Sequence, residues 1–96
     1  MRVISKKPLR EYWGKRPDTK SALEHWWKVT RKARWRNFAD VRQSFGSADQ
    51  RFGWTIFNIG GNKCRLVAKI DHLRGRVYVH RVMTHGEYDR GDWLRE

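Results

Sequence analysis

Apolar residues recur at helical spacing in the first half of the chain and at strand spacing in the second, with the change near residue 54. Residues 2–4 (Arg-Val-Ile) suit a short first strand. Ser5 then offers an N-cap, and Pro8 falls in the first turn of the helix that follows. Leu9, Tyr12 and Trp13 lie at i, i+3, i+4 and give that helix one apolar face. Pro17 and Asp18 end it. A second helix starts between Asp18 and Ser21, where Ser21 and Glu24 have capping-box spacing. Its apolar stripe is Leu23, Trp26, Trp27 and Thr30. Its other side, read as far as residue 36, carries Lys28, Arg31, Lys32, Arg34 and Arg36 without an acid among them. Phe38, Val41 and Phe45, preceded by Asn37 as a cap, suggest a third, shorter helix. Residues 46–53 read as a loop.

From Trp54 the period changes. Residues 54–59 are a nearly all-apolar run of strand-forming types, and Gly60-Gly61-Asn62 is hairpin-turn chemistry. Residues 63–70 then alternate. Cys64, Leu66, Ala68 and Ile70 fall on one face; Lys63, Arg65, Val67 and Lys69 fall on the other, with Val67 the only departure from a half-buried strand. A turn over 71–76 leads to another strand at 77–83, and the polar stretch from Thr84 to Trp93 suits a short helix or turn. The order β-α-α-(α)-β-β-β implies an α+β fold, with two to three N-terminal helices packed on one face of a small, mainly antiparallel sheet. At 96 residues a single domain spanning 1–96 is expected.

Composition narrows the function. Twenty-two Lys and Arg against ten Asp and Glu give a formal net charge of +12. Such a charge repels itself and points to a polyanionic partner, with nucleic acid ahead of an acidic protein and a membrane surface third. Six Trp, three Tyr and four Phe exclude a simple unfolded polycation. The chain is too short to wall in a deep cofactor pocket, so any chemistry is expected on a surface or in a shallow groove, without a cofactor. Cys64, the only cysteine, rules out an intramolecular disulfide and a Cys-rich zinc site, and no metal is expected. The first ten residues lack the apolar run of a signal peptide, and no stretch approaches the roughly 18–20 apolar residues of a membrane span. A cytoplasmic protein with no membrane association is the expectation.

The face bearing Lys63, Arg65 and Lys69 is either a solvated surface or a row of cations able to track phosphates. Antiparallel pairing brings residues 77–83 alongside, with His80 and Arg81 near their end. Strict alternation sends these two to opposite faces, so only one of them joins the row. Thr84, His85 and Tyr88 follow, and a patch of Lys63, Arg65, one of His80 and Arg81, His85 and Tyr88 is expected. This set can cut RNA without a metal. Histidine titrates near neutrality and can take the proton of the 2′-OH or give one to the 5′-oxygen. Arginine and lysine stabilise the charge that develops on phosphorus, and tyrosine can donate, accept or stack on a base. His25 and His72 read as structural or incidental. Trp13, Trp26 and Trp27 read as core and Trp54 as core or edge cover. Trp93 either folds back on the sheet or stacks with RNA.

Two stretches carry a resemblance. Phe57-Asn58-Ile59-Gly60-Gly61-Asn62-Lys63-Cys64-Arg65-Leu66 and Thr84-His85-Gly86-Glu87-Tyr88-Asp89 resemble signatures of the HigB family of RelE-like toxins. Trp35-Arg36-Asn37-Phe38-Ala39-Asp40-Val41 and Ser47-Ala48-Asp49 are similar as well, so the likeness spans almost the whole chain. It implies a RelE-like fold and a toxin–antitoxin toxin that cuts mRNA on the translating ribosome. It implies an antitoxin partner, commonly a helix-turn-helix protein, through which alone promoter DNA is bound. By the same resemblance Arg65 sits on the scissile phosphate, Lys63 is a nearby basic position, and His85 and Tyr88 carry acid–base and stacking roles. Position 80 departs from the pattern, since the family more often has arginine where this chain has His80 followed by Arg81, which puts the phosphate-clamp role there in doubt. Cys64 stands where an aromatic is common and reads as a small core residue, not a nucleophile.

The expected activity is therefore a metal-independent endoribonuclease acting through 2′-OH attack. Its catalytic group is Arg65, His85, Tyr88 and His80; Lys63, Lys69 and Arg81, with Lys28, Arg31, Lys32, Arg34 and Arg36, form the RNA-binding set. A non-catalytic RNA- or ribosome-binding module and a degenerate toxin are the alternatives. Residues 1–80 hold 19 basic and 6 acidic residues, whereas residues 81–96 hold 3 and 4. Most of the charge is thus assigned to docking, with the chemistry at its edge.

Overall fold

The structure, a computed structural model, describes residues 1–94. Strand β1 (Arg2–Ile4) leads into α1 (Lys7–Lys15), and a 3₁₀ turn (Pro17–Thr19) runs directly into α2 (Lys20–Lys32). Helix α3 (Phe38–Ser44) is followed by β2 (Asp49–Arg51), β3 (Trp54–Ile59), β4 (Cys64–Asp71) and β5 (Arg76–Met83). The described chain closes with α4 (His85–Arg90) and a 3₁₀ turn (Asp92–Leu94). The five strands form one sheet in the order β1-β5-β4-β3-β2, antiparallel except for β1 beside β5. The α+β expectation therefore holds, with the stretch after Thr84 forming a short helix, one of its two readings, and with one strand added inside 46–53, which read as a loop. None of the helices is long and apolar enough to cross a membrane, among the described residues.

Local chemistry explains most of the boundaries. Asn37 caps α3 by accepting from the Asp40 N–H at 3.0 Å, as its position suggests. Ser5 accepts from the Lys7 N–H at 3.0 Å, although Lys6 occupies the N-cap position itself. The Ser21–Glu24 capping box does not form. The preceding 3₁₀ turn already supplies backbone partners at the start of α2, and the Thr19 hydroxyl donates to the Arg16 carbonyl at 2.7 Å. Helix α2 also stops at Lys32 with Ala33 extended, so Arg34 and Arg36 lie in a connection and not on the basic helix read from the sequence.

The helices α1 to α3 cover one face of the sheet. Leu9, Leu23, Trp26, Phe57, Leu66 and Val77 are fully buried there, with Trp26 edge-on to Phe57 at 5.4 Å between ring centres. Of the three helical tryptophans only Trp26 is sealed; Trp13 and Trp27 are half-buried, and the Lys6 ammonium lies 3.9 Å from the Trp27 ring centre. Cys64 is buried in this core, and burial pushes its thiol up to about 11.

The opposite face is not open. Ile56, Val67, Met83 and Trp93 form a second, smaller core, flanked by Trp54 and Tyr88. Trp93 folds back on the sheet and is buried, its indole N–H donating to the Tyr88 carbonyl at 3.1 Å. That cover explains Val67, the residue out of step with the alternation: it faces the second core. It also overturns the reading of Arg65 as part of a solvated row, because the same segment buries it.

Candidate active site

The site is built at the end of β4 and β5 where Arg65 pairs with Met83, under the C-terminal helix. The sequence Thr84-His85-Gly86-Glu87 shapes that helix. The Thr84 hydroxyl accepts from the Glu87 N–H at 3.1 Å, and the Glu87 carboxylate accepts from the Thr84 N–H at 2.9 Å, a complete capping box. These bonds, from the Thr84 backbone first, hold the Glu87 carboxyl below its ordinary pKa. Gly91 in the left-handed region ends the helix. His85, Tyr88 and Asp89 then stand at i, i+3 and i+4 on one side of α4. His85 Nε2 lies 3.2 Å from the Asp89 carboxylate, both side chains remaining open to solvent.

Tyr88 points back over the sheet. Its ring stacks on Trp93 at 5.3 Å and 8° between planes, and the Arg65 guanidinium lies 5.8 Å from its centre. Arg65 is only 8% exposed. One terminal nitrogen, Nη2, donates to the Asn62 side chain at a long 3.4 Å, and Nη1 is buried with no hydrogen-bond partner. No carboxylate approaches it within ion-pair distance among the described residues. A buried guanidinium left this incomplete is costly, and an anionic oxygen is the group that would complete it.

Strict alternation breaks at His80. Arg81 pairs with Val67 and Val79 with Ala68, so His80 is the extra residue of a β-bulge. The bulge brings His80 to the Val67 face, while Arg81, paired with Val67, borders a groove shared with Glu11, Tyr12 and Lys15 of α1. His80 stacks on Trp54 at 4.4 Å and its Nε2–H donates to the Trp93 carbonyl at 3.3 Å. Lys69 joins this side too, its ammonium 4.4 Å from the Trp54 ring centre.

Lys63 does not join. It sits in the turn before β4 and donates to the Asp18 carbonyl at 3.1 Å, on the helix side of the sheet. Nor do the basic residues of α2 and its exit. Arg31, Lys32, Arg34 and Arg36 line a cleft of about 660 Å³ with Arg2 and Arg74. Its wall includes the β4–β5 turn, so it lies at the far end of β4 from Arg65. Lys28 is apart from both, in a shallow depression shared with Glu24 and His25. His72 donates from Nδ1 to the Trp35 carbonyl at 2.8 Å, a structural bond.

One participant had no signal in the sequence. Arg51, in the short strand β2, lies close enough to the Tyr88 side chain for the phenol to raise the arginine's pKa further. Only sheet pairing brings it there: β2 pairs with β3 through Arg51 and Trp54.

Comparison with known proteins gives the chain a family. Residues 19–91 match the HigB toxin family, described as the RelE-like toxic component of a toxin–antitoxin system. The chain is 30% identical over 93 residues to the mRNA interferase HigB of Escherichia coli O6:H1, covering 94% of this chain and 90% of that protein. It is 31% identical over 93 residues to the mRNA interferase HigB of Shigella flexneri, covering 93% of this chain and 88% of that protein. The match over most of the chain, with these relatives beside it, means that the chain belongs to the HigB family of RelE-like toxins, the toxic components of toxin–antitoxin systems.

Proposed function

We propose that this toxin is a ribosome-dependent endoribonuclease that cuts mRNA by attack of a 2′-OH on its own phosphate, leaving a 2′,3′-cyclic phosphate and a 5′-OH. The observation that carries the reading is the buried Arg65 with an unpartnered Nη1, roofed by an aromatic ring. A phosphate oxygen supplies the acceptor that Arg65 lacks, and the cation in turn stabilises the phosphorane as charge accumulates. His85 serves as general base or acid, oriented by Asp89. Tyr88 stacks on or orients the attacked nucleotide, held by Trp93 behind it and Arg51 at its side. His80, with Nε2–H committed to the Trp93 carbonyl, orders the floor of the site and Lys69 adds positive charge beside it. All of this is supplied by side chains, so no metal step is needed.

The distant basic cleft is the natural place for sequence-independent docking on ribosomal RNA, separated from the chemistry by the length of β4. Family membership implies a cognate antitoxin that holds the toxin inactive. We assign it to the helix-turn-helix class that also binds the operon promoter, and place the toxin in the cytoplasm with the ribosome. Reporter mRNA in a translation reaction tests the activity, with cleavage and cyclic-phosphate ends expected for the wild type. His85→Ala should slow cleavage roughly 10²–10⁴-fold, and Tyr88→Phe should also reduce it, while ribosome binding is retained. If substitutions in the basic cleft stop growth inhibition and those at 85 and 88 do not, the chain is a binding module and the nuclease reading fails.

A further inference from the structure

The turn joining β2 to β3 breaks a local rule without any gain in packing. Phe52 has φ +54 and Gly53 has φ +82, the sign pattern of a type I′ hairpin turn. Such a turn favours Asn, Asp or Gly at its first position, and a bulky side chain there is strained. Phe52 is the only non-glycine residue with positive φ among the described residues. Burial does not compensate, since Phe52 is 75% exposed. An exposed aromatic residue where neither the turn nor the core favours one calls for a reason outside packing.

Its surroundings say what the ring meets. Arg51, immediately before it, lies beside Tyr88, the aromatic that roofs Arg65. On the other side, a Cβ on Gly53 would lie 3.3 Å from the Lys69 ammonium, which also covers Trp54. The turn that presents the exposed ring thus has a cation on either side, one of them beside the candidate site. An aromatic face between cations is how proteins hold single-stranded RNA, with bases stacking on rings and phosphates taking the charges.

We propose that Phe52 is a nucleobase-stacking residue: an RNA strand with its reacting phosphate at Arg65 passes Tyr88 and lays a flanking base on Phe52, while Arg51 and Lys69 hold the adjoining phosphates. The inference rests on the RNA-cleaving reading above and adds a binding subsite on the β2–β3 turn. Stacking is tolerant of base identity, so the subsite sets the path and grip of the strand more than its sequence.

The test uses a 2′-O-methyl oligoribonucleotide that cannot be cleaved, with 2-aminopurine placed at each position in turn. Stacking should quench the probe at a position that depends on Phe52. Phe52→Leu, with similar bulk and the same turn strain, should lose that quenching, and Phe52→Trp should keep it. Phe52→Asn should lose it while raising the melting temperature, because asparagine suits the turn. Cleavage of reporter mRNA by the Leu and Asn variants should fall about tenfold in kcat/KM, the lower range for removing one stacked base. A quenching pattern unchanged in the Leu and Asn variants overturns the proposal, as does loss of antitoxin binding in Phe52→Leu with RNA quenching intact. Quenching by a wild type that does not cut mRNA keeps the subsite and removes the nuclease reading; cleavage without Phe52-dependent quenching does the reverse.

Discussion

Replacing Arg65 with methionine should make the protein more stable and inactive at once. The guanidinium is 8% exposed, has one long 3.4 Å bond to Asn62, and leaves Nη1 unpartnered. Removing charge from water costs several kcal/mol, and this site returns little of it. The Asn62 bond is worth at most about 1 kcal/mol at that length. The Tyr88 ring, at 5.8 Å, is near the outer limit of a cation–π interaction worth roughly 0.5–1 kcal/mol. Methionine is unbranched and of similar length, and it would extend the small core of Ile56, Val67, Met83 and Trp93. Exchanging buried charge for packed apolar volume gains about 1–4 kcal/mol elsewhere. That range is already net of the interactions lost, and with only the weak Asn62 bond and ring contact to lose, about 1–2 kcal/mol is expected here, a rise of roughly 4–8 °C in Tm per kcal/mol for a domain of this size. Urea unfolding with an unchanged m-value should show the same gain. Cleavage of reporter mRNA should drop about 10²–10³-fold, the loss seen when one preorganised charge-stabilising donor is removed. An uncleavable RNA oligonucleotide should raise the Tm of the wild type and not that of Arg65→Met. A Tm that falls in the variant would refute the reasoning, for it would mean that Arg65 is held by its protein neighbours and is not waiting for an anion.

Thr84→Ala removes the cap of α4 and should cost about 1 kcal/mol, with amide exchange accelerated at residues 85–90 and cleavage reduced. Because Glu87 ionises below its ordinary value, its contribution is complete above about pH 4.5 and is lost as pH falls through the lowered value, so the gap between wild type and Thr84→Ala should narrow in acid. Cys64, buried with its thiol pushed up to about 11, should resist alkylation at pH 8 until the protein is unfolded in urea; labelling at the rate of an open thiol in the native state would contradict the buried core position. Replacing Arg31, Arg34 and Arg36 with glutamine should weaken ribosome binding and flatten its salt dependence by roughly 0.7 in log–log slope for each phosphate no longer neutralised. Cleavage by the ribosome-bound variant should be unchanged, and an unaltered slope would show that the cleft at the far end of β4 does not carry the docking.

The one-dimensional pattern determined which faces of the main elements are apolar. Leu9, Leu23, Trp26, Leu66 and Ala68 lie in the helix-side core because side-chain direction follows from a period of 3.6 or 2 alone. Hairpin glycines, the Asn37 cap and the spacing of His85 from Tyr88 are equally local, and the sequence carries them. Tertiary structure decided everything that depends on what lies across the sheet. Alternation made Arg65 and Val67 outward, but whether outward means wet depends on a segment more than twenty residues later folding over them, as Trp93 and Tyr88 do. Which face His80 takes depends on one extra residue in β5, and a bulge is a property of two paired strands, not of one. Lys63 left the expected patch because a turn residue is free of the strand's alternation and found the Asp18 carbonyl. Arg51 entered the site because β2 exists only by pairing with β3; its three exposed residues, Asp49, Gln50 and Arg51, have no strand signal of their own. The sequence by itself determined the main elements and their buried stripes and named the candidate residues of α4, because those follow from neighbours in the chain. The burial of Arg65 and the separation of the basic cleft from the Arg65–Tyr88 site follow from interactions between distant segments, and only the assembled sheet brings those about.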